Sequence, residues 1–119
     1  MSYIFIVEDE ALVALDLKYI IEDTGLTPCG PYDTVVSSME ALDEHLPDCA
    51  ILDVRVSDGE IFPVADRLMT EDVPIIFYSG HADKRMLTSR YPDAQICVKP
   101  SSPQELLQAI SDTLGLSVV

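Results

Sequence analysis

Apolar residues in this chain come in short unbroken runs, separated by longer stretches where they recur every three or four positions. Tyr3-Ile-Phe-Ile-Val7, Ala50-Ile-Leu52, Val73-Pro-Ile-Ile-Phe-Tyr78 and Ala94 to Val98 are runs of the first kind. Strands without polar alternation are those covered on both faces, as in a parallel sheet. Leu26 to Gly30 is a weaker run, interrupted by Pro28 and followed by Pro31. It suits an edge position, because proline donates no hydrogen bond to a neighbouring strand.

The stretches between these runs predict five helices. The first spans about Glu10 to Thr24, with Val13, Leu17, Ile20 and Thr24 along one face and Gly25 suited to end it. Asp33 is placed to cap a second, striped by Val35, Met39, Leu42 and Leu46. A third starts near Ile61, with Pro63 tolerated in its first turn, and ends near Asp72. A fourth, short and polar, covers about Asp83 to Tyr91 and stops before Pro92. The last opens on the capping box Ser102-Pro103-Gln104-Glu105, continues through Leu106, Leu107, Ile110 and Leu114, and closes at Gly115. Five strands alternating with five helices predict an α/β fold. It is a single doubly wound, five-stranded parallel sheet with right-handed crossovers, order 2-1-3-4-5.

Composition narrows the class. A length of 119 residues allows one core and one domain, spanning 1–119. No apolar run approaches the roughly 18 residues of a membrane span, and no basic leader precedes the first strand, so a cytoplasmic protein is expected. Cys29, Cys49 and Cys97 lie in or beside apolar runs without CxxC spacing, and read as small buried hydrophobes. A net charge of −14 argues against nucleic acid as a direct partner, since phosphate binding needs clustered Lys and Arg. His45 and His81 have no Cys or carboxylate at ligand spacing and read as surface residues.

The candidate chemistry sits where strands end. Glu8-Asp9 follows the first run, Asp53 the third, Ser79 the fourth and Lys99 the fifth. Singly, each has a plainer reading: a helix cap, a turn or a solvated charge. In a parallel sheet, however, all of them lie at one edge, and order 2-1-3-4-5 puts the crevice between the first and third strands. Glu8, Asp9 and Asp53 then meet, and three carboxylates so close call for a cation. All-oxygen ligands suit Mg²⁺. Lys99 and Ser79 offer a point charge and a hydroxyl to an incoming phosphoryl group, with Asp53 as the nucleophile that would carry it as an aspartyl phosphate.

Glu8-Asp9, Asp53, Ser79 and Lys99-Pro100, in this order and approximate spacing, resemble the receiver domains of bacterial two-component response regulators. The likeness extends over the whole chain. It implies a flavodoxin-like receiver topology and phosphoryl transfer from a sensor histidine kinase or phosphotransfer protein onto Asp53. It also implies Mg²⁺ held by Asp9, Asp53, the Arg55 backbone carbonyl and, through water, Glu8. Self-catalysed phosphoryl transfer and dephosphorylation would be its only enzymology. With no output domain expected, a downstream protein would bind at residues 82–112. Lys84, Arg85 and Arg90 cluster there in an otherwise acidic chain.

Three features depart from the common pattern. Ile96 replaces a frequent aromatic, the loop after Asp53 is short and lacks the usual proline, and Ser101 follows Lys99-Pro100. The Phe77-Tyr-Ser-Gly80 run and the short loop resemble a subset associated with alphaproteobacterial stress and light-sensing kinases. A haloacid-dehalogenase-type phosphatase would need an Asp where Arg55 stands. A flavin-binding relative would need a phosphate loop where Glu-Asp-Glu stands. A receiver-shaped interaction module that takes no phosphate is the main alternative.

Overall fold

The computed structural model describes residues 2–80, 83–99 and 101–115; His81 and Pro100, named above, lie outside them. The sheet is built from β1 (Tyr3–Val7), β2 (Thr27–Tyr32), β3 (Cys49–Leu52), β6 (Ile75–Ser79) and β7 (Gln95–Val98). A separate small hairpin is made by β4 (Arg55–Val56) and β5 (Gly59–Glu60). The helices are α1 (Ala11–Asp23), α2 (Val35–Glu44), α3 (Phe62–Thr70), α4 (Lys84–Arg90) and α5 (Pro103–Leu114). Strand order is β2-β1-β3-β6-β7, all pairs parallel, which is the expected 2-1-3-4-5 with the hairpin left out of the count. Among the described residues, no helix is long and apolar enough to cross a membrane.

The unbroken apolar runs are explained by two cores, one on each face. Phe5, Val7, Ala50, Leu52, Ile75 and Phe77 point to the side where Leu42, Leu68 and Leu87 of α2, α3 and α4 pack. Ile4, Ile6, Cys49, Ile51, Ile76 and Cys97 point to the side of α1 and α5, where Leu17, Ile21, Leu106 and Ile110 meet them. Alternate residues of each central strand therefore serve opposite cores, so both must be apolar. β2 is an edge strand, paired only with β1. The register slips between Phe5 and Val7, opposite the stretch that holds Gly30 and Pro31. Gly30 is required there: with φ of 107°, its Cβ would stand 2.8 Å from the Ile6 carbonyl oxygen.

Several expected details shift. The buried face of α1 is Ala14, Leu17 and Ile21: of the expected stripe Leu17 is buried, while Val13, Ile20 and Thr24 lie at the margin of the core. Leu46 does not join the α2 stripe. The helix ends at Glu44, and Leu46, beyond it, is 40% exposed. Ser38 takes a core position instead, because its hydroxyl is satisfied by the Thr34 carbonyl at 2.6 Å. Thr34, not Asp33, caps α2, accepting from the Ser37 amide at 2.9 Å. Arg90 is held by Asp66 at 3.3 Å and lies over the Phe62 ring, so the basic cluster at α4 is Lys84 and Arg85 alone. The three cysteines are free, Cys49 and Cys97 buried and Cys29 half-buried.

The hairpin after Asp53 is the largest feature the sequence did not announce. Its two-residue loop, Ser57-Asp58, is clipped to the start of α2. The Val35 and Val36 amides donate to the Asp58 carboxylate at 2.6 and 3.2 Å. These hydrogen bonds, the Val35 one foremost, hold the Asp58 carboxyl below its ordinary pKa. The clip therefore contributes above the unfolded carboxyl's pKa and fades as pH falls through the depressed folded value. Replacing Asp58 by Ala should speed amide exchange at Val35 and Val36 and in the hairpin while leaving the sheet protected. Unchanged exchange at both amides would show that the clip does not hold in solution.

Candidate functional site

The register of the sheet decides what meets at its carboxyl edge. Val7 lies opposite Leu52 in the β1–β3 pair, so the residues that follow them, Glu8 and Asp53, are neighbours. Phe77 beside Leu52, and Ser79 beside Val98, bring Ser79 and Lys99 to the same edge. Main-chain hydrogen bonds carry the alignment past the strand ends. The Asp53 amide donates to the Val7 carbonyl at 3.0 Å, and the Lys99 amide to the Ser79 carbonyl at 2.8 Å. Glu8 is tied on its other side, its amide donating to the Tyr32 carbonyl at 2.9 Å. The backbone thus places these residues before any side-chain interaction is counted.

Glu8, Asp9 and Asp53 each bring a carboxylate oxygen to within 4.8 Å of the others. Glu8 is only 2% exposed, Asp53 is half-buried, and Asp9 is open to solvent. Lys99 stands among them, its Nζ donating to Glu8 Oε1 at 2.7 Å and to Asp53 Oδ2 at 3.1 Å. The Tyr78 ring covers the ammonium, 5.4 Å from Nζ to centroid. The remaining oxygens are also occupied. Asp53 Oδ1 accepts from the Val54 amide at 2.8 Å, and Glu8 Oε2 from the Glu10 amide at 3.2 Å.

Charge in this pocket is balanced closely. Burial pushes the Glu8 carboxyl up to about 7, with Asp53 adding to the rise and Lys99 and the Glu10 amide opposing it. Burial works to lower the Lys99 ammonium's pKa, but the hydrogen bonds and charges of Glu8 and Asp53 outweigh it and the net shift is upward. Lys99 therefore stays charged, while Glu8 is poised near neutrality. The donor set, three carboxylates with neither imidazole nor thiol joining them among the described residues, fits a hard, oxygen-seeking divalent cation such as Mg²⁺.

Ser79 and Arg55 meet through a residue that the strand-end pattern did not bring out. Ser79 is buried, and its hydroxyl donates to Asp83 Oδ2 at 3.0 Å. Arg55, on β4, also reaches Asp83 Oδ2, with Nη1 at 3.3 Å. Asp83 immediately precedes α4 and is itself buried. In the sequence it read only as the start of a polar helix. The available signal was an acid four residues past the candidate serine.

Ser101, where an aromatic is frequent, turns its hydroxyl to the Val98 carbonyl at 2.7 Å. Ile96 packs half-buried against the core beneath α4.

Comparison with known proteins agrees with this geometry. The response regulator receiver domain matches residues 4–111. The phyllosphere-induced regulator PhyR of Methylorubrum extorquens is 30% identical over 114 residues, which are 93% of this chain and 43% of PhyR. The chain spans about half the length of the curated relatives it matches. The solution structure of SdrG from Sphingomonas melonis superposes with a TM-score of 0.82 at 34% identity, covering 96% of this chain and 97% of SdrG. The anti-anti-sigma factor PhyR from Bartonella quintana superposes with a TM-score of 0.80 at 26% identity, covering 96% of this chain and 47% of that one. A sheet that gathers Glu8, Asp9, Asp53, Ser79 and Lys99 at one edge, in a chain matched almost end to end, is thus a response regulator receiver domain of two-component signal transduction.

Proposed function

We propose that this receiver accepts a phosphoryl group on Asp53 from the phosphohistidine of a sensor histidine kinase or phosphotransfer protein. The observation that supports it most is the Asp53 carboxylate, half-buried beside Glu8 and Asp9 with Lys99 on one oxygen. In the transfer, an Asp53 oxygen forms a bond to phosphorus as the phosphorus–nitrogen bond of the donor breaks. The imidazole keeps that electron pair. Such transfer asks the protein mainly for positioning and neutralisation of charge.

Asp9, Asp53 and the Arg55 backbone carbonyl would hold Mg²⁺, with Glu8 acting through water. Bound there, the ion would offset the carboxylate charge and favour the phosphoryl oxygens. Lys99 offers its ammonium to those oxygens and Ser79 its hydroxyl. The signal would leave by the face made of α4, β7 and α5, within residues 82–112, to a downstream protein. The anti-anti-sigma factor among the structural neighbours is an instance of a receiver-containing protein named for a protein-directed role.

Small phosphodonors such as acetyl phosphate should add one phosphoryl group to the wild-type protein in Mg²⁺ and none in chelator. Intact-mass measurement should find Asp53→Asn unlabelled in both. Equal uptake by the two proteins would exclude Asp53 as the acceptor, and no uptake by either would favour a receiver-shaped interaction module.

The raised Glu8 pKa gives a second expectation. Without metal, the folded protein binds more protons than the unfolded chain between the ordinary value of 4.5 and about 7. Stability from this group is therefore complete below the unfolded pKa and lost as pH rises through the folded one. Denaturant unfolding in chelator should show the wild type losing on the order of 2 kcal/mol across that window, with Glu8→Gln losing much less. Parallel pH profiles for the two proteins would refute it.

A further inference from the structure

We infer that Asp83 is a positioning residue that holds the Ser79 hydroxyl and the Arg55 guanidinium away from the phosphoryl site until a phosphoryl group competes for them. The inference rests on the reading of Asp53 as acceptor and extends it to a residue outside the strand-end set.

One oxygen, Asp83 Oδ2, accepts from both Ser79 Oγ at 3.0 Å and Arg55 Nη1 at 3.3 Å. The two donors come from different parts of the chain, Ser79 from the end of β6 and Arg55 from the hairpin that follows Asp53. Ser79 is 3% exposed, so its hydroxyl has little access to water and must be satisfied by protein. The Arg55 side chain is 69% exposed against 12% for Asp83, so the guanidinium reaches inward from solvent to a fixed carboxylate. Such an exposed arm is weakly held and easily redirected. The Ser79 hydrogen bond is the more firmly held of the two, because it is shorter and buried, whereas the exposed guanidinium is screened by water.

A serine hydroxyl carries one proton, so Ser79 can donate to Asp83 or to a phosphoryl oxygen on Asp53 but not to both. Formation of the phosphoryl group then draws Ser79 off Asp83. It also presents a new anion to Arg55, which is two residues beyond Asp53 on the hairpin. Asp83 is left without its donors at the residue that opens α4, a seven-residue helix anchored mainly by Leu87. Short elements that bury little apolar area reorganise at small cost. Occupancy at Asp53 is thereby coupled to α4 through Asp83, without an aromatic at Ile96.

Beryllofluoride binding in Mg²⁺, followed by amide spectra, measures the competition directly. Asp83→Ala should tighten binding about tenfold, the equivalent of about 1.4 kcal/mol, because Ser79 no longer has to leave an acceptor. Asp83→Asn retains a carbonyl oxygen for Ser79 but no charge, and should fall between. In a Ser79→Ala background, Asp83→Ala should have a much smaller effect, since only the weakly held Arg55 remains to be released. Equal affinity of wild type and Asp83→Ala would overturn the inference, as would an undiminished effect of Asp83→Ala without the Ser79 hydroxyl.

A metal-free measurement separates this failure from failure of the phosphoryl site. Side-chain couplings of Ser79 should report one rotamer in wild type and averaging in Asp83→Ala. If no variant binds beryllofluoride, a rotamer that averages in Asp83→Ala still supports Asp83 as the positioning partner. A fixed rotamer in Asp83→Ala removes it.

Discussion

The Lys99 ammonium carries the site. A parallel sheet with Glu8 and Asp53 at adjacent strand ends forces two carboxylates together, and the following Asp9 adds a third. Like charges at that spacing repel one another and oppose the compact state. Lys99, delivered by β7 from the far side of the sheet, donates to two of the three and leaves Asp9 to solvent. The bond to Glu8 joins residues 91 positions apart, so it forms only when the whole sheet order is in place. Acid cluster and cation are therefore interdependent. The carboxylates hold Lys99 charged, and Lys99 lets Asp53 remain half-exposed beside a buried Glu8.

The same arrangement is what the proposed function asks of a pocket that would take both a cation and an anion. Burial and Asp53 push the Glu8 carboxyl up to about 7 against the pull of Lys99 and the Glu10 amide. Asp53 presents one oxygen to Lys99 and one to the Val54 amide, which fixes the carboxylate plane while leaving it accessible. The hairpin bearing Arg55 is in turn held by the Asp58 clip to α2, so the mouth of the site is braced by an element outside it.

Fold class and strand order were legible because apolar runs without alternation demand cover on both faces, and the two cores bear this out at alternate residues. The location of Glu8, Asp9, Asp53, Ser79 and Lys99 followed from the parallel topology, since each ends a strand. What periodicity could not give was the exchange of partners at helix starts. Thr34 displaced Asp33 as the cap, while a carboxylate from Asp58, 23 residues away, took the two amides preceding Ser37. The hairpin was hidden because two-residue strands carry no period. Asp83 was hidden because an acid before a polar helix is the commonest of surface features; only its burial against Ser79 and Arg55 sets it apart. Leu46 misled because it continues the α2 stripe in register past the point where the helix has ended.

Borohydride reduction of the phosphodonor-treated protein, followed by peptide mapping, identifies the acceptor carboxylate directly. An acyl phosphate on a carboxylate is reduced to the alcohol, and the modified residue is read from fragment masses. Homoserine is expected at position 53, with unmodified carboxylates at Glu8 and Asp9. Reduction at either of those two residues, or an unreduced Asp53 in protein that has gained a phosphoryl group, would contradict Asp53 as the acceptor.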